Sequence, residues 1–327
     1  GCVLKRREGV WDGSPLALEG VRAMVYTLFS LMFKVFFVAA AAYLLRRRGA
    51  LTAQDQKSVT NVLMRFVVYF TVIMSSQQDF SLKAAKAILV TAIYAVLFFA
   101  VFIPASIFLS RRLKLEEAKR RVFVCSLVFC NITFIGYPIL QELYGNIGLL
   151  CAIVFSMIYN VVFYSWGMFY LGDRGRGSLR SILTNKIALA SVLALVMYFL
   201  QIKIPEPLYS TFNGIGALTM PLSMIIIGCS LADSGICKIL RDRTLYLPTV
   251  LRMAVMPAVV CLVMRLLGVD PEIIRISTVI AALPSGTMTS IVAADYGCAP
   301  DYAANIMVQT MLAMLAALPA WVFLVGM

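Results

Sequence analysis

The sequence contains no histidine and few acidic residues. Of its 327 residues, 16 are Asp or Glu, whereas 29 are Lys or Arg. Histidine is the commonest metal ligand and proton shuttle in proteins, so its absence removes the usual basis for both roles. The eight cysteines show no Cys-x-x-Cys spacing, and most lie in or beside apolar segments, where cysteine behaves as a small apolar residue. We therefore expect no metal site and no cofactor.

Catalytic motifs are missing as well. The sequence has no Gly-x-Ser-x-Gly nucleophile elbow, no metal-ligand cluster and no pair of carboxylates within an apolar segment. These absences predict that the protein is not an enzyme.

Long apolar runs dominate what is present. Hydrophobic residues make up 61% of the chain and charged residues 14%. About 20 apolar residues cross a bilayer as a helix. Ten segments of that kind can be drawn, over residues 25–45, 59–76, 86–109, 122–140, 149–171, 186–201, 208–232, 245–264, 273–294 and 302–325. The sequence therefore predicts an all-α polytopic membrane protein with ten transmembrane helices, in contact with membrane lipid.

The basic residues indicate how these helices are oriented. The formal net charge is +13, which could suggest a nucleic-acid partner, but Lys and Arg are concentrated in the odd-numbered loops. Such a bias marks the cytoplasmic side of a membrane protein. We therefore predict a multi-pass protein of the cell membrane with both termini outside the cytoplasm, and no nucleic-acid partner.

The loop at 172–185 divides the predicted helices into five plus five. An odd number of helices in each half places the halves in opposite orientations, as an inverted-topology repeat requires. We predict a first five-helix repeat at 23–171, a cytoplasmic linker at 172–185 and a second repeat at 186–327. Residues 1–22 carry basic residues on the outer side and begin with Gly1 rather than Met, so we interpret them as a non-membrane leader, either a mis-set start or a non-native segment.

Two predicted helices, the fourth and the ninth, should be broken. Proline inside a helix removes a hydrogen bond and clashes with the preceding turn, which places a break near Phe134–Gly136, before Pro138, and another around Pro284. Secondary transporters build substrate sites from such breaks. Polar and small residues surround both breaks, namely Asn131, Thr133, Gly136, Ser285, Gly286, Thr287 and Thr289.

Charge at membrane depth bears on the substrate. Lys34 lies midway along the first predicted helix, and a cation there is a functional candidate. Arg252 is interpreted as snorkelling to the cytoplasmic surface. All acidic residues fall outside the predicted midplane, whereas a cation site normally needs one there. The pattern favours an anion.

Three motifs resemble one family. Asn131-x-x-Phe134-x-Gly136-x-Pro138, the segment 221–232 and the segment 282–286 resemble the fourth, seventh and ninth helices of the auxin efflux carrier family of permeases. The resemblance implies transport of weak organic acids such as auxin, malate or malonate. It is also compatible with a homodimer.

Together these observations predict a secondary transporter that moves a small organic anion by alternating access, with a proton or sodium ion as candidate coupling ion. The predicted site lies where the two broken helices cross at Pro138 and Pro284, with Lys34 as counter-charge. Its residues are Asn131, Thr133, Gly136, Pro138, Pro284, Ser285, Gly286, Thr287 and Lys34, with Asn160, Ser223 and Thr289 as secondary candidates. The alternatives are a sodium-coupled symporter of the bile-acid type and, outside transport, a membrane sensor or receptor.

Overall fold

The computed structural model describes residues 33, 37–172, 186–233 and 236–326, and these residues fold almost entirely into helices. Lys34, the leader and most of the predicted linker lie outside the described residues. In chain order the helices are α1 (residues 37–47), α2 (Ala53–Met74), α3 (Leu82–Arg112), α4 (Glu117–Val128), α5 (residues 132–144), α6 (residues 146–171), α7 (Lys186–Phe199), α8 (Leu208–Asp233), α9 (Ile236–Arg241), α10 (Arg243–Leu266), α11 (Pro271–Ala281), α12 (Thr287–Asp295) and α13 (Pro300–Gly326).

Several helices begin where a side chain can replace a missing backbone partner. Thr52 and Asp55 form a capping box at the start of α2. The Ser81 hydroxyl accepts from the N–H of Ala84 at the start of α3, and Asp270 caps α11 immediately before Pro271. Proline is favoured at the first helical position because its missing N–H would have no partner there.

Six described helical segments are long and apolar enough to cross a membrane: Ala53–Met74, Leu82–Arg112, Ile132–Leu171, Leu208–Asp233, Arg243–Leu266 and Pro300–Gly326. The third is 40 residues long, whereas about 20 residues are enough to cross a bilayer. Gly145, which has a positive φ of 64°, divides it into α5 and α6. The protein is therefore an all-helical, multi-pass membrane protein within its described residues.

The predicted ten-helix inverted repeat stays a prediction. The predicted fourth and ninth spans are each divided into two shorter helices, α4 and α5, and α11 and α12. The predicted sixth span corresponds to α7, which has 14 residues.

The fourth predicted helix breaks earlier than expected, so the predicted position near Phe134–Gly136 is wrong. The helix stops at Val128 and restarts at Ile132, and Pro138 lies more than one turn into the restarted helix. The turn before this proline is a wide π-helical segment, Ile132–Gly136. A widened turn accommodates the ring and missing N–H of Pro138 without ending the helix.

The helices pack as two groups. Helices α1, α2, α7 and α8, which we call the four-helix group, pack mainly on one another. Helices α3 to α6 and α10 to α13 pack mainly on one another and contain both helix breaks, so we call them the crossing group.

Polar contacts join the helices of the four-helix group. The hydroxyl oxygens of Thr71 in α2 and Thr219 in α8 lie 2.5 Å apart and share a hydrogen bond. At the C-terminal end of α8, the Asp233 carboxylate accepts two hydrogen bonds from Arg46 of α1, at 2.8 and 2.9 Å. This pairing raises the pKa of the Arg46 guanidinium through the hydrogen bond. The contacts fix α1 and α2 against α8.

Gly228 tests the packing of α1 on α8. A Cβ at this position would collide with the carbonyl oxygen of Ala39 and approach the Cβ of Ala42 to 2.8 Å. We expect Gly228→Ala to lower the free energy of unfolding by about 1–3 kcal/mol, because backbone must move to make room. Thermal unfolding in detergent measures this effect.

The matched control is Gly214→Ala on the same helix, where nothing lies within 4 Å of the added Cβ. That substitution should leave the melting temperature unchanged or raise it, since alanine is the better helix former. Equal melting temperatures for the two variants would contradict the close approach of α1 and α8.

Candidate functional site

The two helix breaks pair with each other through their backbones. The N–H of Asn131 donates to the carbonyl of Pro284 at 2.9 Å, and the N–H of Gly286 donates to the carbonyl of Phe129 at 2.8 Å. Cys130 and Ser285 thereby form an antiparallel bridge. Backbone groups at membrane depth must find partners within the protein. We call the paired segments 129–131 and 284–286 the crossing.

Small residues allow the breaks to approach. A Cβ on Gly286 would lie 3.0 Å from the carbonyl oxygen of Cys130, and one on Gly136 would lie 2.7 Å from Cδ1 of Leu283. Both predicted site glycines are therefore explained by packing at or beside the crossing. Pro284 takes part through its carbonyl, whereas Pro138 lies away from the paired segments. The crossing was expected at Pro138 and Pro284. In the first broken helix it lies instead at residues 129–131, before Pro138.

A cavity lies beside the crossing. It is small, with a volume of about 40 Å³, and its lining includes residues of both helix groups. Met64 and Ile187 come from the four-helix group, and the remaining lining residues from the crossing group: Cys130, Asn131, Ile132, Thr133, Phe134, Tyr159, Asn160, Tyr164, Thr287 and Met288. The side-chain amide of Asn131 donates to the hydroxyl of Thr287 at 2.9 Å. This hydrogen bond spans the two breaks.

Two helix N-termini open onto this cavity. Helix α5 begins at Ile132 and α12 at Thr287, and first-turn residues of both line the cavity. The first N–H groups of a helix have no intrahelical acceptor, and the helix dipole makes this end partially positive. Together with the amide and hydroxyl groups, they form a donor-rich surface suited to a carboxylate or another anion.

The predicted site residues divide into two sets. Asn131, Thr133, Asn160 and Thr287 line the cavity, and their role in binding stays a prediction. The other described candidates do not line it: Gly136, Pro138, Ser223, Pro284, Ser285, Gly286 and Thr289 are all buried. Lys34 lies outside the described residues.

Ser285 contributes to the crossing through its backbone. Its N–H donates to the hydroxyl of Thr310 in α13 at 3.1 Å, and its own hydroxyl is buried without a partner among the described residues. The Ser223 and Thr289 hydroxyls are likewise buried and unpartnered there.

Sequence reasoning missed Arg252, and its interpretation as a snorkelling residue is wrong. The side chain is 1% exposed. Its Nε donates to the carbonyl of Leu283 at 2.8 Å, and its Nη1 donates to the carbonyl of Leu127 at 2.5 Å. A single charge five residues before Pro257, inside an apolar segment, was the available signal.

Apolar helices of spanning length, arranged around a donor-rich cavity at two paired helix breaks, are the features of a membrane transport protein. The comparison with known families agrees. The model of a family described as "Membrane transport protein" matches residues 27–181 and 176–322. The chain belongs to this family, which is the auxin efflux carrier family that the motifs indicated.

Curated relatives are named in the same terms. An uncharacterized transporter of Escherichia coli K12, YfdV, is 24% identical over 214 residues, covering 61% of this chain and 67% of the relative. Uncharacterized transporters of Methanothermobacter thermautotrophicus and Methanocaldococcus jannaschii are 20% and 22% identical, covering 88% and 89% of this chain and 95% and 97% of the relatives. These names support transport without specifying a substrate.

Thr310 tests the support of the crossing from α13. Thr310→Val keeps the side-chain shape but removes the hydroxyl that accepts from the Ser285 N–H. A buried N–H left without an acceptor costs about 1–3 kcal/mol, so we expect a lower melting temperature in detergent. The control, Thr211→Val, removes an exposed hydroxyl that bonds its own helix at Pro207 and should have little effect. A Thr310→Val protein as stable as the control would contradict this role.

Proposed function

We propose that the protein is a secondary transporter that carries a small organic anion through the cavity beside the crossing, by alternating access. The observation that carries this proposal is the composition of the cavity wall. The wall offers amide and hydroxyl groups and two helix N-termini, and its lining residues include no carboxylate. Such a site attracts negative charge without any fixed negative charge to repel it.

The position of the cavity supports movement between two accessible states. Because Met64 and Ile187 belong to one helix group and the other lining residues to the second, a shift of either group would change the access to the cavity. Interhelical hydrogen bonds lie mainly within each group, as in the pairs Thr71–Thr219 and Tyr94–Ser277. Alternating access by movement of one bundle against another is general among such transporters.

Part of the contact between the groups is apolar, and the Tyr198 hydroxyl of α7 also hydrogen-bonds to the backbone of Ser81 at the start of α3. A separate apolar cluster joins α3 and α6 of the crossing group to α7 of the four-helix group, and consists of Ala84, Ile88, Leu150, Val154 and Tyr198. Apolar contacts are non-directional, so they permit movement that a network of hydrogen bonds would resist.

Arg252 bears on the sodium-coupled alternative. A sodium ion at the crossing would need carbonyl oxygens such as those at the C-terminal ends of α4 and α11. The carbonyls of Leu127 and Leu283 already accept hydrogen bonds from the Arg252 guanidinium. A cation beside this charge would be repelled, which favours the anion carrier over the bile-acid type of symporter.

The resemblance to the family suggests weak carboxylic acids as substrates, and Lys34 remains a proposed counter-charge. The first experiment is flux in proteoliposomes, with labelled mono- and dicarboxylates supplied one at a time under imposed potential, pH and sodium gradients. Saturable flux of one acid that responds to one gradient would identify substrate and coupling together. An absence of carboxylate flux under every gradient would contradict the anion proposal.

Asn131 tests the site itself. We expect Asn131→Ala to abolish flux of the transported acid with normal membrane insertion, because the amide that links α5 to α12 is lost. Asn131→Asp should also abolish it, since a carboxylate in the cavity repels an anionic substrate.

The matched control is Asn61→Ala, which removes an exposed amide from α2 and should leave flux unchanged. Flux equal to the unmodified protein in Asn131→Ala would remove Asn131 from the site.

A further inference from the structure

Arg252 carries the charge that is buried most completely among the described residues. The residue lies in α10, is 1% exposed and has the largest side chain among those fully buried in the described chain. Intramembrane charges are costly and are retained where they have a role. The cavity lining does not include Arg252, so its role is not direct contact with a substrate there.

The two hydrogen bonds of Arg252 reach one end of each broken helix. In an uninterrupted helix the carbonyl of Leu127 would accept from the N–H of Asn131, four residues later. At the crossing that N–H donates to Pro284 instead, so the Leu127 carbonyl is free to accept from Arg252. The Leu283 carbonyl, just after the end of α11, accepts from the same guanidinium.

These contacts affect the electrostatics of the crossing. The carbonyl ends of α4 and α11 are partially negative, and the N-terminal ends of α5 and α12 are partially positive. Without a cation the opposite partial charges would meet at the crossing and largely cancel. With Arg252 on the two carbonyl ends, the partial positive charge at the cavity is left uncompensated.

We propose that Arg252 is the positioning residue of the transport site, which holds α4 to α11 and makes the cavity selective for anions by neutralising their two carbonyl ends. The electrostatic half of this inference rests on the proposed function, whereas the structural half does not. Nη1 also lies 3.9 Å from Sδ of Met256 on the same helix, and Nη2 has no partner among the described residues. Within the described part of the chain the guanidinium therefore bonds to backbone carbonyls at the crossing and forms no ion pair.

The structural half is tested by amide hydrogen exchange, read by mass spectrometry on peptides that contain Asn131 and Gly286. Both N–H groups bond across the crossing. We expect Arg252→Gln to speed their exchange about tenfold, because local opening becomes easier once the shared guanidinium is removed. Arg252→Lys should give a smaller increase, since it keeps the charge but loses the fork of donors.

The matched control is Arg265→Gln, on the same helix but exposed, and exchange at the crossing should not change there. Exchange in Arg252→Gln that equals the control would overturn the structural half. If Arg252→Gln does not fold, Arg252→Lys decides in its place: unchanged exchange at both peptides overturns the proposal and faster exchange supports it.

The electrostatic half is tested with malonate as the probe, through its effect on thermal stability at constant ionic strength. Arg252→Gln should weaken malonate binding about tenfold, whereas Arg252→Lys should stay close to the unmodified protein because the charge is kept. Equal malonate affinity in Arg252→Gln and Arg265→Gln would overturn this half. Failure of the unmodified protein to bind malonate would count against the proposed function and the electrostatic half alike, and hydrogen exchange would still decide the structural half.

Discussion

The hydrogen bonds exchanged between the two broken helices are the interaction on which the rest of the structure depends. A helix that stops inside a bilayer leaves N–H and C=O groups without partners, and lipid supplies none. Here each break supplies what the other lacks, through Asn131 to Pro284 and Gly286 to Phe129. The Thr310 hydroxyl accepts a hydrogen bond from the Ser285 N–H, and the Arg252 guanidinium donates to one carbonyl on each side of the crossing. Polar backbone is tolerated at this depth because the second break lies beside the first.

The cavity follows from the same constraint. Because each broken helix restarts after the crossing, the N-terminal ends of α5 and α12 lie beside each other, and residues of their first turns line the cavity. The side chain of Asn131 bonds to Thr287 at this point, so one residue serves the crossing through its backbone and the cavity through its amide. A substitution at this position can therefore disturb the packing beside the crossing as well as the proposed binding of a substrate.

Much of this arrangement could be predicted from the residues. Apolar runs identify the helices, and the polar residues around Pro138 and Pro284 indicate two breaks that approach each other. The exact position of the break between α4 and α5 could not be predicted. Proline shows where a regular helix is strained, but it does not show which residues pair with a distant segment. Pro138 is accommodated by the wide turn at Ile132–Gly136, and the partner carbonyl of Pro284 determines that the chain is extended at Phe129–Asn131. Arg252 was misread because its distance from the helix end permits snorkelling, and only tertiary structure reveals two free carbonyls within its reach.

The charge of Arg252 lies outside the cavity lining, and this position has a consequence for the proposed transport. A cation placed within the cavity would pair directly with an anionic substrate, and a strong, desolvated ion pair opposes release. The proposed counter-charge Lys34 would act in this way, whereas Arg252 acts on the carbonyl ends of α4 and α11, outside the cavity lining. The polar groups that the described lining residues offer to the proposed substrate are amides, hydroxyls and helix N-termini. Each of these attracts an anion more weakly than a full charge does. A carrier must bind its substrate on one side and release it on the other, and the moderate attraction of fixed dipoles at the crossing favours that release.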